Sequence, residues 1–140
     1  MMQEKSKNIK NEASKVLETF NQYSEAFSML KPSALLPFYH YPSLLISHDK
    51  SVAMKNKLEG WLVFTKLISD LKRQKYDRSE IRDLKVKFLS DDLAIITGAA
   101  TRYRIDDREL ESFDFTYTMR KVSDRWKIIV GIIHDLGTNS

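Results

Sequence analysis

The fold is decided by residues 81–135, IRDLKVKFLSDDLAIITGAATRYRIDDRELESFDFTYTMRKVSDRWKIIVGIIHD, where alternating apolar and polar residues are broken by short polar turns. Leu84, Val86 and Phe88 alternate with Asp83, Lys85 and Lys87, the period-two pattern of an edge strand with one wet face. Asp91-Asp92, Asp106-Asp107 and Ser123-Asp124 then read as turns joining Leu93–Arg104, Glu109–Val122 and Trp126–Asp135. The expectation is a four-stranded antiparallel meander.

Two-residue turns fix the registers. Across Asp106-Asp107, Arg104 faces Glu109, Arg102 faces Glu111, Ala100 faces Phe113, Gly98 faces Phe115 and Ile96 faces Tyr117. Small residues opposite large ones are what a well-filled sheet face requires. Across Ser123-Asp124, Met119, Tyr117, Phe115 and Phe113 face Ile128, Val130, Ile132 and His134. One face then carries Ile96, Gly98, Phe115, Tyr117, Ile128, Val130 and Ile132 and should meet the helices. At its polar end Arg102, Glu111 and His134 gather around Phe113. The outer face carries Thr97, Thr116, Thr118, Ile129 and Ile133, too apolar for a fully solvated surface, so a homodimer through it is expected.

Upstream the period is helical. Ile9, Ala13, Val16, Phe20, Tyr23, Phe27 and Leu30 step by three and four, giving a helix from about Ile9 to Leu30 behind a loose tail at 1–8. Pro32 ends it, Pro32–Leu36 allows one helical turn, and Ser43–Ser47 reads as a short strand. Asn56 and Glu59 have capping-box spacing and open a third helix through Leu58, Trp61, Leu62, Ile68 and Leu71. Helices first and strands afterwards define one α+β domain over 1–140, with the helices on one face of the sheet.

The 140 residues contain no cysteine, which excludes disulfides, thiolate metal sites and cysteine nucleophiles and suits a reducing, cytoplasmic setting. No apolar h-region marks a signal peptide, and the longest apolar runs, Trp61–Phe64 and Ile128–Ile133, are too short to span a bilayer, so no membrane partner is expected. The net charge of +4 gathers at Lys72, Arg73 and Lys75, where it complements a helix dipole; without an aromatic stacking motif beside it, nucleic-acid binding is not expected. The four glycines form no phosphate loop and the three histidines have no ligand spacing, so neither a cofactor nor a metal is expected.

A long first helix, a short second one ending in Phe38-Tyr39-His40-Tyr41-Pro42, a third helix and a curved meander resemble the nuclear transport factor 2-like (SnoaL-like) superfamily. Phe115-Thr116-Tyr117-Thr118-Met119-Arg120-Lys121 and Arg125-Trp126-Lys127-Ile128 are similar to its last hairpin. Within it the chain most resembles an uncharacterised bacterial branch with His-x-Pro after the second helix. The resemblance implies a cone-shaped fold, three N-terminal helices packed on a curved antiparallel sheet. It also implies a pocket for a small apolar or partly polar molecule, and dimers through the outer face. Members include ketosteroid isomerases, polyketide cyclases, dehydratases and non-catalytic binding modules, so fold alone does not decide function.

Steroid-isomerase-like members place an aspartate base at the end of the strand after the second helix, which brings His48 or Asp49 near that position. No tyrosine and carboxylic acid match their oxyanion hole. The residues themselves offer a second acid/base set, His134 with Glu111 and Arg102, against the reading of a structural ion pair at a sheet end. The expected pocket residues are His40, Tyr23, Trp61, Phe113 and Tyr117. Three functions stay open: a ligand-binding protein, an acid/base enzyme, and a dimerising module. A charged group deep in the pocket with room beside it would favour the enzyme; a pocket filled by Trp61, Phe113 and Tyr117 would favour the module.

Overall fold

The computed structural model describes the backbone of residues 2–134 and the side chains of residues 8–134. The first helix, α1 (Met2–Ser28), buries the stripe Val16, Phe20, Tyr23 and Phe27. It begins at Met2, so most of the segment expected as a loose tail is helical. A turn of helix, α2 (Pro32–Leu35), and a 3-10 turn (Leu36–Phe38) lead into β1 (Tyr39–Ser47), longer than the short strand expected. The hairpin turn His48-Asp49 returns the chain as β2 (Lys50–Met54).

The Asn56 cap forms at α3 (Lys57–Arg73), with Glu59 reaching back one residue beyond the cap. The Asn56 side chain accepts from the Glu59 backbone N–H at 3.0 Å, and Glu59 Oε1 accepts from the Lys55 N–H at 3.0 Å. Phe64, Ile68 and Leu71 form its buried face. The meander follows as β3 (Tyr76–Ser90), β4 (Leu93–Arg104), β5 (Glu109–Val122) and β6 (Arg125–His134).

The sheet has six strands in the order β2-β1-β6-β5-β4-β3, with β3 at an edge as expected. It is mixed rather than purely antiparallel, because β1 lies parallel to β6 with α3 and the meander between them in sequence. The β4–β5 register is the expected one from Leu93↔Arg120 to Arg102↔Glu111. Only the turn end departs: a bulge pairs Tyr103 with Glu109, and the Arg104 N–H donates to the Arg108 carbonyl at 2.8 Å, so Arg104 does not face Glu109. Asp107 sits in the left-handed region at φ 68°, which makes the connection a loop longer than two residues.

The β5–β6 register holds at Met119↔Ile128 and then slips. Thr118 pairs with Val130, Tyr117 with Gly131 and Phe115 with Ile133, leaving Ile129 as the extra residue of a bulge. A one-residue slip exchanges the two faces. Gly131 and Ile133 therefore join the helix-covered face, while Val130, Ile132 and His134 join the outer one, the reverse of the expectation. Phe20 of α1 stacks on Phe115 at 5.0 Å between ring centroids and centres the core under the helices. No helix among the described residues is long and apolar enough to cross a membrane.

Candidate functional site

Between α1, α3 and the concave sheet face lies a cleft of about 200 Å³. Leu45 of β1, Val52 of β2, Val63 and Leu67 of α3, and Gly131 and Ile133 of β6 give it apolar walls. Tyr117 lies across Gly131, where an added Cβ would stand 2.7 Å from the tyrosine Cε1, so glycine there lets the ring lie flat on the strand. A smaller cavity of about 40 Å³ adjoins it, with Phe113 and Ala100 in its wall. Tyr23, Phe27, Arg102 and Tyr117 border both.

Three phenols meet here because three elements point inward at one level. Tyr23 of α1 and Tyr39 of β1 share a buried hydrogen bond of 2.6 Å, in which either hydroxyl can be the donor. Tyr117 of β5 packs edge-on against Tyr23 at 5.9 Å. Burial pushes the pKa of Tyr23 and Tyr39 well above the ordinary phenol value, and neighbouring phenols push further. Burial also raises Tyr117, against the opposing charge of Arg102. All three are neutral hydroxyls near pH 7.

Arg102 supplies the charge. Its side chain is only 12% exposed, and its Nη1 donates to Glu111 Oε1 at 2.5 Å, whereas the Glu111 side chain is 48% exposed. The guanidinium carbon lies 5.1 Å from the Phe27 ring centre and 4.8 Å from that of Phe113. Arg102 is thus the inner member of the pair and Glu111 the rim member. Lys50 is the other cation on the walls, and no aspartate, glutamate or histidine lines either cavity among the described residues.

Of the sequence-predicted residues, Arg102, Glu111, Phe113, Tyr23 and Tyr117 come together. His134 does not join them. The β6 bulge turns it to the outer face, where it pairs with Asp114 across the ladder and its Nε2 shares a 2.9 Å hydrogen bond with Thr116 Oγ1. Trp61 is 42% exposed and lies with Pro32 and Thr65 outside the cleft, because it points away from the buried face of α3. His48 and Asp49 are exposed in their hairpin turn. His40 is half-buried and borders neither cavity, and its Nδ1 is a buried nitrogen without a hydrogen-bond partner.

Sequence reasoning missed Tyr39 and Gly131. Phe38-Tyr39-His40-Tyr41 carries no alternation that singles out Tyr39, whereas the lone glycine of the apolar run Ile128–Ile133 was a usable signal for Gly131. Among the described residues no group of three or more histidine, aspartate or glutamate side chains is arranged to hold a metal ion.

Residues 11–136 match the family of NTF2-like proteins designated DUF6841, and the chain belongs to that family. No functionally curated protein matches it. An NTF-2 like protein of unknown function from Shewanella oneidensis is 20% identical, with a TM-score of 0.71 over 88% of this chain and 98% of that one. An NTF2-like protein with a cystatin-like fold from Novosphingobium aromaticivorans reaches 0.77 at 10% identity, over 95% and 87% of the two chains. A second protein of that organism, provisionally named a scytalone dehydratase, gives 0.75 at 10% identity over 96% and 99%. At these identities the likeness is one of fold.

Proposed function

We propose that this NTF2-like chain is a small-molecule-binding protein that works as a homodimer, with the cleft beneath α1 and α3 as its site. The observation that carries the reading is the make-up of the walls: apolar side chains broken by three phenols and two cations. Such a lining, largely apolar with a few convergent polar groups, is that of a ligand site. Trp61 stands outside, which speaks against a module whose pocket is filled.

An acid/base enzyme needs a group that exchanges a proton near neutral pH. Arg102 is a charged group with room beside it, the feature expected to favour an enzyme, but a guanidinium stays protonated and cannot shuttle protons. The phenols are held neutral by burial, and His134, His48 and Asp49 all lie off the cleft. Binding is therefore the reading these residues support.

For the dimer, Thr116, Thr118, Val130 and Ile132 lie side by side on the outer face, half-buried and mostly apolar at their tips. A stable interface of standard size buries about 1,600 Å² in total.

The test of the cleft is ligand-observed NMR with two compact neutral compounds, 4-methylcyclohexanol and 4-methylphenol. Saturable binding to the wild type, lost in Val63→Phe at an unchanged fold, is the expected result. Binding of neither compound, or equal binding to Val63→Phe, refutes the assignment of the cleft.

A further inference from the structure

We infer that the cleft's occupant is a small organic acid whose carboxylate meets Arg102 and whose compact apolar body fills the space under α3; this rests on the cleft being a binding site. Phe27 and Phe113 flank the guanidinium at 5.1 and 4.8 Å, so its hydrogen-bonding capacity is directed along its edge. A guanidinium has five N–H donors, and the Glu111 contact runs from Nη1 alone. Arg102 borders both cavities, so its remaining donors have space beside them for an acceptor.

Charge selects the acceptor. Both ionised groups on the walls, Arg102 and Lys50, are cations, and the nearest carboxylate, Glu111, sits half-exposed at the rim, where water screens it. A single inner cation, already partly offset, matches one negative charge, and the edge of a guanidinium fits the two oxygens of a carboxylate. At about 200 Å³ the cleft is smaller than ordinary drug-sized pockets, so the acid has a compact body.

The experiment is isothermal titration with cyclohexanecarboxylate and with its neutral counterpart, cyclohexanecarboxamide. The wild type should bind the acid about tenfold or more tightly than the amide, an advantage that shrinks with added salt. Arg102→Gln should abolish the advantage, bringing the acid down to no tighter binding than the amide. Glu111→Gln removes the competing carboxylate and should tighten acid binding about threefold or more. Its rim position makes this variant decisive even where Arg102→Gln does not fold. Equal affinity for acid and amide, or no tightening in Glu111→Gln, overturns the inference while the cleft still stands as a site. If neither compound binds while 4-methylcyclohexanol or 4-methylphenol does, the inference falls and the site stands; if none of the four binds, both fall.

Discussion

Gly98→Ala places a methyl group where the sheet has no room for one. A Cβ built on Gly98 would stand 2.7 Å from Phe115 Cζ, 2.9 Å from Leu84 Cδ2 and 3.0 Å from the Arg82 carbonyl oxygen. Carbon atoms rest at about 3.5–4.0 Å, so the first overlap approaches an ångström. Leu84 is half-buried and can turn aside. Phe115 cannot easily do so: it is 2% exposed and stacked on Phe20. The Arg82 carbonyl belongs to backbone held in the β3–β4 ladder.

Overpacking of this kind costs about 1–3 kcal/mol. Replacing glycine also removes unfolded-state freedom, a gain of about 0.4–1 kcal/mol, and the φ of Gly98 is not in the positive region that would cancel it. The net loss for alanine is then about 0.5–2 kcal/mol, with Gly98→Val near the top of the overpacking range. At this chain length about 3–5 °C of Tm accompanies each kcal/mol. Circular-dichroism melts and urea titrations measure it, and Phe115→Leu supplies the control. Shortening the ring removes the atom in collision, so the double variant should lose less than the sum of the two singles. A Tm at or above wild type for Gly98→Ala, or strict additivity with Phe115→Leu, would refute the packing argument.

Thr118→Arg puts an unpaired charge into the outer face, and light scattering at tens of micromolar should find a monomer where the wild type is a dimer. Glu12 accepts from Lys121 at 3.0 Å and from Trp126 Nε1 at 2.9 Å; burial would raise its pKa, but these donors and Lys15 hold it below the ordinary 4.5. A lowered folded pKa gives stability that is present above 4.5 and lost as pH falls through the folded value, so Glu12→Gln should flatten the acid side of the Tm–pH curve. An unchanged slope would remove Glu12 from that account. In spectrophotometric titration Tyr23, Tyr39 and Tyr117 should remain un-ionised where exposed phenols are half-ionised, at about pH 10, with Tyr41 following at about 12. Ionisation of all six tyrosines together near 10 in the folded protein would contradict the buried cluster.

What the sequence determined by itself was whatever local pattern repeats. The α1 stripe, the Asn56–Glu59 cap and the β4–β5 register were legible, because parity and size complementarity agree along Ile96, Gly98, Ala100 and their partners. The α+β class and the Arg102–Glu111 pair followed from them. Tertiary structure alone decided the rest. Ile128–Ile133 is apolar throughout, apart from its glycine, so no alternation distinguishes one face from the other across the bulge at Ile129. That one extra residue sent His134 to the outer face and brought Gly131 under Tyr117. The parallel pairing of β1 with β6 joins segments some eighty residues apart, through hydrogen bonds that any backbone can make. It sets Tyr39 and Leu45 beside the meander, and with α1 above them it closes the cleft around Tyr23, Tyr117 and Arg102. A local pattern records which way a side chain faces along its own strand; which strands become neighbours is settled by the burial of the whole core.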